Sequence, residues 1–248
     1  MNPQPALSIS IVSHGQGALV AQLLQDIRTH CAATSLHVLL TLNIEERLLF
    51  DIADFPFEIR IISNRERRGF AANHNAAFAQ ARGEYFCVLN PDVRFDSDPF
   101  PALMAGLSDA SVGVAGPLVL GPDGRIEDSA RRFPTPLGIA CKLLGSQRAP
   151  DYAIAQAPVY PDWIAGMFML WRADVFRQLG GFDEGFFLYY EDVDICIRLY
   201  RAGFRVVLIP SVRVTHYARR ASHHNSRYLL WHSKSMLRFF LKSLFRKA

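Results

Sequence analysis

The spacing of apolar residues changes period repeatedly along the N-terminal part of the chain. Residues 6–13 (Ala-Leu-Ser-Ile-Ser-Ile-Val-Ser) read as a buried strand and His14-Gly15-Gln16-Gly17 as a turn, after which Leu19, Leu23, Leu24 and Ile27 recur at helical spacing over 18–30. A second strand is expected over 36–42, a short helical piece at 45–50 and a third strand over 58–63. An Ala-rich helix over 68–81, stopped by Gly83, and a fourth strand over 84–89 follow. Alternating strand and helix predict a mostly parallel sheet with helices on its faces.

Asn90-Pro91-Asp92 follows the fourth strand directly. Pro91 cannot donate to a ladder, so the strand stops there, and Asp92 stands at the carboxyl edge where such sheets bind ligands. An ordinary turn would use the same three residues. Further on, 100–107 reads as helix, 112–120 as strand, Gly121-Pro122-Asp123-Gly124 as a turn, and 125–161 as a proline-rich stretch containing a movable loop. The apolar run 163–171 contains Gly166. A short helix is expected over 173–179, then Gly180-Gly181-Phe182-Asp183-Glu184, and later strands over 204–209, ended by Pro210, and 212–216.

The stretch Tyr190-Glu191-Asp192-Val193-Asp194 opens a helix reaching to about residue 202, with Gly203 placed to stop it. Glu191, Asp194, Arg198 and Arg201 share a polar face on which acid and base can pair. Asp192 falls in register with Ile195, Cys196 and Leu199, the apolar face, without a local partner. On this helix alone, Asp192 is equally a capping charge and a perturbed functional carboxylate.

From 226 to the end, Leu229, Leu230, Met236, Leu237, Phe240, Leu241, Leu244 and Phe245 alternate with Arg227, Lys234, Arg238, Lys242, Arg246 and Lys247. This is a basic amphipathic helix, which either packs on its own domain or attaches to an anionic membrane surface. It sharpens an otherwise mild charge, a net +4 over 248 residues, because no Asp or Glu occurs from Arg213 onward. Half the residues are apolar, enough for a sizeable core. Cys31, Cys87, Cys141 and Cys196 form no CxxC pair and read as reduced thiols of a cytoplasmic protein. No signal peptide and no membrane-spanning run is evident.

Phosphate-loop and dinucleotide-binding glycine motifs are absent, as is a nucleophile elbow, which argues against an NTPase, a dinucleotide dehydrogenase and a serine hydrolase. Three chemistry-bearing residues do fall in order at strand ends or a helix start: Asp92, Asp192 and His216. A carboxylate at a strand end with a downstream histidine suits Mg²⁺ or Mn²⁺, whose shell phosphate and water complete. An isolated second carboxylate could then act as a base. Spacing alone does not separate His216 from His223, His224 and His232.

Taken together, these segments resemble a family 2 glycosyltransferase with the GT-A fold. The matching residues are 9–13, Asn64 with Arg68-Gly69-Phe70-Ala71-Ala72-Asn73-His74-Asn75, 85–92 ending in Asn-Pro-Asp, 166–172, 180–184, 186–198 and Val214-Thr215-His216. The Asn-Pro-Asp and Phe-Phe-Leu-Tyr-Tyr-Glu-Asp-Val-Asp patterns are closest to the rhamnosyltransferase-like branch. The resemblance implies an α/β GT-A domain over 1–217, a single Rossmann-like mixed sheet flanked by helices, followed by the amphipathic extension 218–248. It implies inverting transfer of a sugar, rhamnose for this branch, from a nucleotide diphosphate sugar to a hydroxyl of a glycan or lipid-linked acceptor in surface polysaccharide synthesis. Asp192 would be the base, with Glu191 in support. Asp92 and His216 would hold Mg²⁺ or Mn²⁺, and Ser13, Asn64, Arg68, Gly69, Asn73, Asn75 and Asn90 would bind the donor. Trp163 and Gly166 would shape the acceptor site. The chain departs from the family in having Asn90 for the first acid of Asp-x-Asp, and Thr41-Leu42-Asn43 where relatives often carry an acid. The expected location is cytoplasmic, peripheral on the inner face of the membrane if the tail attaches there. The competing expectation is a non-catalytic nucleotide-sugar-binding protein of the same fold. A nucleic-acid partner is not expected, because no reading motif accompanies the basic tail.

Overall fold

The computed structural model describes residues 5–136, 138, 151–217 and 226–245. Cys141, His223, His224, Arg246, Lys247 and the expected domain boundary at 217/218 lie outside or at the edge of them. The strands are β1 (Leu7–Ser13), β2 (Leu36–Leu42), β3 (Glu58–Ser63), β4 (Tyr85–Leu89), β5 (Val93–Arg94), β6 (Val112–Leu120), β7 (Ala130–Arg131), β8 (Trp163–Ile164), β9 (Phe168–Arg172) and β10 (Arg205–His216). The helices are α1 (Gly17–His30), α2 (Phe70–Phe78), α3 (Phe100–Gly106), α4 (Ala173–Gln178), α5 (Glu191–Arg201) and α6 (Ser226–Phe245).

Eight strands form one mixed sheet in the order β3-β2-β1-β4-β9-β6-β10-β5, and β7 pairs with β8 beside it. β1 to β4 are mutually parallel, and β9 lies antiparallel between β4 and β6. β6 and β10 therefore run with β1 to β4, and all six carboxyl ends share one edge. Alternation within strands divides the core between the two faces. Cys87 and Leu89 of β4 join the cluster under α1 and α3, whereas Phe86 and Val88 join the cluster under α2, α4 and α5. Phe176 is the hub of the second cluster, with ring centroids 4.7–5.4 Å from Phe78, Phe86, Phe182 and Trp171. Burying each such side chain contributes about 1.5–3 kcal/mol.

Several elements differ from expectation. No helix forms over 45–50; the one turn there is a 3₁₀ turn at Ile52–Asp54, where the Asp51 side chain accepts from the Ala53 N–H at 2.9 Å. Leu48 and Phe50 pack against the core from irregular backbone, and so short a helix would not recover its nucleation cost. α2 begins at Phe70: Gly69 before it is extended (φ −70°, ψ 166°), and the Phe70 N–H donates to the Phe187 carbonyl at 2.8 Å. The run 163–171 divides into β8 and β9 around Gly166. The two strands expected over 204–216 are one, β10, whose register shifts between Ile209 and Arg213, spanning Pro210.

The polar face of α5 is not a solvated face. Asp194 pairs with Arg198 at 2.8 Å as expected, yet Asp194 and Glu191 are both buried. The cover over Asp194 includes α6. On this helix Ser235 Oγ donates to the Leu188 carbonyl (2.8 Å) and Phe239 is buried against Tyr190. Trp231 stacks near Phe187, and Lys242 reaches both Asp183 (2.6 Å) and Asp194. Packing on the domain thus accounts for one face of the tail. The opposite face leaves Leu229, Leu230, Leu237 and Leu241 exposed.

Candidate active site

The carboxyl edge of the sheet carries a chain of side-chain amides. Asn43, just past β2, accepts from the Arg68 N–H (2.8 Å) and donates to the Arg68 carbonyl (2.9 Å). Asn64, just past β3, donates to the Oδ1 atoms of Asn43 (2.9 Å) and Asn73 (2.7 Å), and Asn73 Nδ2 donates to the Arg68 carbonyl at 3.2 Å. Asn64 and Asn73 therefore engage one another and fix the backbone of Arg68, whose side chain is 43% exposed and 3.9 Å from Glu184. Ser13 is buried at the end of β1, with its Oγ accepting from the Gln16 N–H at 3.2 Å. A Cβ on Gly69 would lie 2.5 Å from the Phe187 carbonyl oxygen, so only glycine allows this approach of α2 to the segment before α5. Asn75 faces the same segment from farther along α2: it brackets Phe182 through both N–H and carbonyl (2.9 Å each) and donates to Glu184.

Past β4, the Asn90 N–H donates to the Met167 carbonyl (2.9 Å), and the Asp92 carbonyl accepts from the Tyr217 N–H (2.8 Å). Because β5 pairs antiparallel with the end of β10, Val93 sits opposite His216, and Asp92 is brought beside that histidine. His216 Nε2 lies 3.5 Å from Asp92 Oδ1, a buried oxygen with no hydrogen-bond partner. His216 Nδ1 lies 2.9 Å from Glu127 Oε2. Burial disfavours a charged imidazole here, but the Asp92 and Glu127 carboxylates outweigh it and the proton affinity of His216 is raised. Of the four histidines named in sequence, two lie in the described residues, and His216 is the one beside Asp92. His232 instead packs on Tyr189 and Tyr190.

Asp192 lies in the first turn of α5. Its Oδ2 accepts from the Gly166 N–H at 3.0 Å and its Oδ1 from the Val193 N–H at 2.8 Å. The carboxyl is half-buried and faces a cavity of about 740 Å³, lined also by Glu127, Asp128, Arg131, Trp163 and Met167. Burial raises its proton affinity, against the opposing pull of the Gly166 and Val193 N–H groups and the Arg131 charge. Glu191 beside it is fully enclosed, with Oε2 unpartnered; burial and then the Asp192 charge hold its carboxyl well above the usual range. The two acids thus part: Asp192 opens to the cavity and Glu191 is enclosed. Tyr189 and Tyr190, which aim the helix, both occupy the left-handed region (φ 71° and 68°), a strained arrangement for consecutive bulky residues. Trp163 donates from Nε1 to the Arg132 carbonyl (2.9 Å), and the Arg131 guanidinium lies 5.6 Å from its ring centre.

Asp192, Trp163 and, through Glu127, the Asp92–His216 pair meet at this cavity. Glu127, Arg131 and Asn43 were not singled out from the sequence as site residues. Glu127 and Arg131 fall in the proline-rich stretch without any periodic signal, and Asn43 would have been found only by asking what replaces the acid after β2. Among the described residues, no group of three or more His, Cys, Asp or Glu is spaced to hold a metal ion. The Asp92–His216 pair still suits a hard divalent cation that takes few protein ligands, because an orphaned buried carboxylate oxygen faces an imidazole nitrogen.

Comparison with known proteins adds to this geometry. The family model described as "Glycosyltransferase like family 2" matches residues 3–230, running into α6. "Rhamnosyltransferase WbbL" of Escherichia coli (strain K12) is 30% identical over 253 residues, covering 94% of this chain and 92% of that protein. "N-acetylglucosaminyl-diphospho-decaprenol L-rhamnosyltransferase" of Mycobacterium tuberculosis is 35% identical over 166 residues, 59% of this chain and 54% of that protein, so the match spans about half of its length. Among solved structures, GalNAc-T7 with UDP, GalNAc and Mn²⁺ superposes with a TM-score of 0.66 at 16% identity, covering 88% of this chain and 45% of that one. The likeness covers most of the chain, and the fold is that of the GT-A glycosyltransferases.

Proposed function

The chain belongs to glycosyltransferase family 2, and on that premise we propose that it moves a sugar, rhamnose on the pattern of its relatives, from a nucleotide diphosphate donor to a hydroxyl of a lipid-linked glycan acceptor, with inversion. The observation that carries this reading is the Asp192 carboxyl opening onto the cavity, held by the Gly166 and Val193 N–H groups, while its neighbour Glu191 is enclosed.

In this mechanism the donor diphosphate lies along the carboxyl edge of the sheet. Ser13, Asn64, Gly69, Asn73 and Asn90 shape that edge, Asn75 secures the facing segment, and the Arg68 guanidinium offsets the charge that develops on the leaving diphosphate. Asp92 and His216 would hold Mg²⁺ or Mn²⁺, which when bound stabilises charge on phosphate oxygens. Asp192 Oδ2 accepts the proton of the acceptor hydroxyl. The hydroxyl oxygen forms its bond to the anomeric carbon from the face opposite the diphosphate, as the bond to the diphosphate breaks, and no covalent enzyme intermediate is required. The Gly166 and Val193 N–H groups keep the Asp192 carboxyl oriented for this step. Trp163 and Gly166 border the acceptor side.

The outward leucines of α6, with exposed Lys234 among them, suit an anionic lipid surface, where a lipid-linked acceptor would also be found. Among the described residues no helix is long and apolar enough to cross a membrane. On the strength of the outward leucines and Lys234, the proposed location is the inner, cytoplasmic face of the membrane.

Asp192→Asn keeps the size of the side chain and one of its two acceptor oxygens, so that either the Gly166 or the Val193 bond survives, and removes the base. Transfer, measured with a panel of nucleotide sugars and a lipid-linked acceptor, should fall by about 10²–10⁴-fold while donor binding persists. Unchanged turnover in this variant would remove Asp192 from the mechanism. Absence of transfer by the wild-type protein would favour a binding role.

A further inference from the structure

Glu127 has no part in the mechanism above, yet it is firmly placed. Its N–H donates to the Val119 carbonyl (2.9 Å) and its carbonyl accepts from the Ser129 N–H (2.8 Å). The backbone before it is closed by the Leu120–Ile126 bridge and by the Gly121 N–H donating to the Arg125 carbonyl at 2.8 Å. This turn carries the Glu127 carboxyl to His216 Nδ1. An ionised carboxylate only accepts hydrogen bonds, so Nδ1 carries the proton in that contact, and in the neutral ring the lone pair is then on Nε2. Nε2 faces Asp92 Oδ1, which is buried and lacks a hydrogen-bond partner. Nε2 and Asp92 Oδ1 face each other at 3.5 Å without a hydrogen bond, a separation that a cation held between them would complete. Since the two ring nitrogens point to different sides of the ring, Glu127 does not join Asp92 as a ligand of the same ion. That agrees with the absence of a three-residue metal cluster among the described residues.

We infer that Glu127 is a positioning residue: it holds His216 in the Nδ1–H tautomer and aims Nε2 at Asp92, so that the pair is set to take a divalent cation. The inference rests on the assignment of Asp92 and His216 to the metal, and it assigns the segment between β6 and β7 a part in metal affinity. A carboxylate behind a ligating histidine typically changes affinity by about 10–100-fold, through ring orientation and ligand basicity.

The test is Mn²⁺ binding to the full chain, followed by the electron paramagnetic resonance signal of free Mn²⁺, for wild type, Glu127→Ala and Glu127→Gln. Long-range ¹H–¹⁵N spectra of ¹⁵N-histidine-labelled protein report the His216 tautomer in parallel. Glu127→Ala should weaken Mn²⁺ binding by about 10–100-fold and release the tautomer. Glu127→Gln, whose amide oxygen still accepts from Nδ1–H, should recover most of both, which loss of a merely structural side chain would not do. Wild-type-like Mn²⁺ affinity in Glu127→Ala would overturn the positioning role and leave the metal assignment standing. Absence of Mn²⁺ binding by the wild-type protein, or binding unaffected by Asp92→Asn, would overturn the metal assignment and the inference with it.

Discussion

At the scale of single residues, the adjacent acids Glu191 and Asp192 are separated by what surrounds them. Asp192 receives two backbone N–H groups and faces the cavity, whereas Glu191 is enclosed with an unpartnered oxygen. The folded-state proton affinity of Glu191 is raised above the ordinary value of 4.5, so native protein keeps a proton that unfolded chain gives up. Its favourable contribution is present below pH 4.5 and is lost as pH rises toward the folded value. Glu191→Gln, which cannot ionise, should therefore gain stability relative to wild type as pH rises, by up to about 1.4 kcal/mol per pH unit within the window. Denaturant melts between pH 4 and pH 7 measure the gap; a constant difference would show that Glu191 is not held neutral.

At the scale of elements, α5 and α6 form one device. α5 is aimed by the two left-handed tyrosines, and α6 holds the approach to that turn through Ser235 on Leu188, Phe239 and His232 on Tyr190, and Lys242 between Asp183 and Asp194. Burial alone would raise the Asp183 carboxyl, but Lys242, the Gly185 N–H and Arg238 bring it down to about 2. Lys242→Ala should cost about 2 kcal/mol at neutral pH, below the full price of breaking a buried pair, because Asp194 keeps Arg198 and Asp183 keeps Arg238. The deficit should shrink as pH falls from about 4 toward 2 and Asp183 is protonated. Arg238→Ala, at an exposed site, should cost under about 1 kcal/mol. Thermal or urea melts of the two variants test the ranking, and equal losses would contradict the clamp.

At the scale of the whole molecule, one mixed sheet collects the site at its carboxyl edge, and the last helix is buried on one side and open on the other. The open side gives a prediction that separates packing from membrane attachment. Replacing Leu230, Leu237 and Leu241 together by Ser should reduce co-sedimentation with anionic phospholipid vesicles by at least about tenfold, since each leucine forfeits its transfer into lipid. The melting temperature should stay near that of wild type, because all three are exposed in the folded protein. Vesicle binding that survives the triple change would leave α6 a packing element only.

Period and punctuation in the sequence determined much of this architecture. Strands at 36–42, 58–63 and 112–120 agree with β2, β3 and β6, because a buried run bounded by turn residues admits few other structures. The resemblance to family 2 glycosyltransferases was legible for a similar reason: its motifs sit where strands end, and their order survives along the chain. Tertiary structure decided the rest. The piece at 45–50 did not form a helix because a short segment follows its packing partners rather than its propensity. Asp194 on the polar face of α5 is covered by Lys242 of α6, 48 residues away in sequence, which no local period encodes. The pairing of Glu127 with His216 spans 89 residues and depends on β6 running beside β10 and on the turn that returns from Leu120 to Ile126. For Glu191 and Asp192, the sequence already set Asp192 apart by its helical register and by the resemblance; the enclosure that shields Glu191 and leaves Asp192 open to the cavity belongs to the fold.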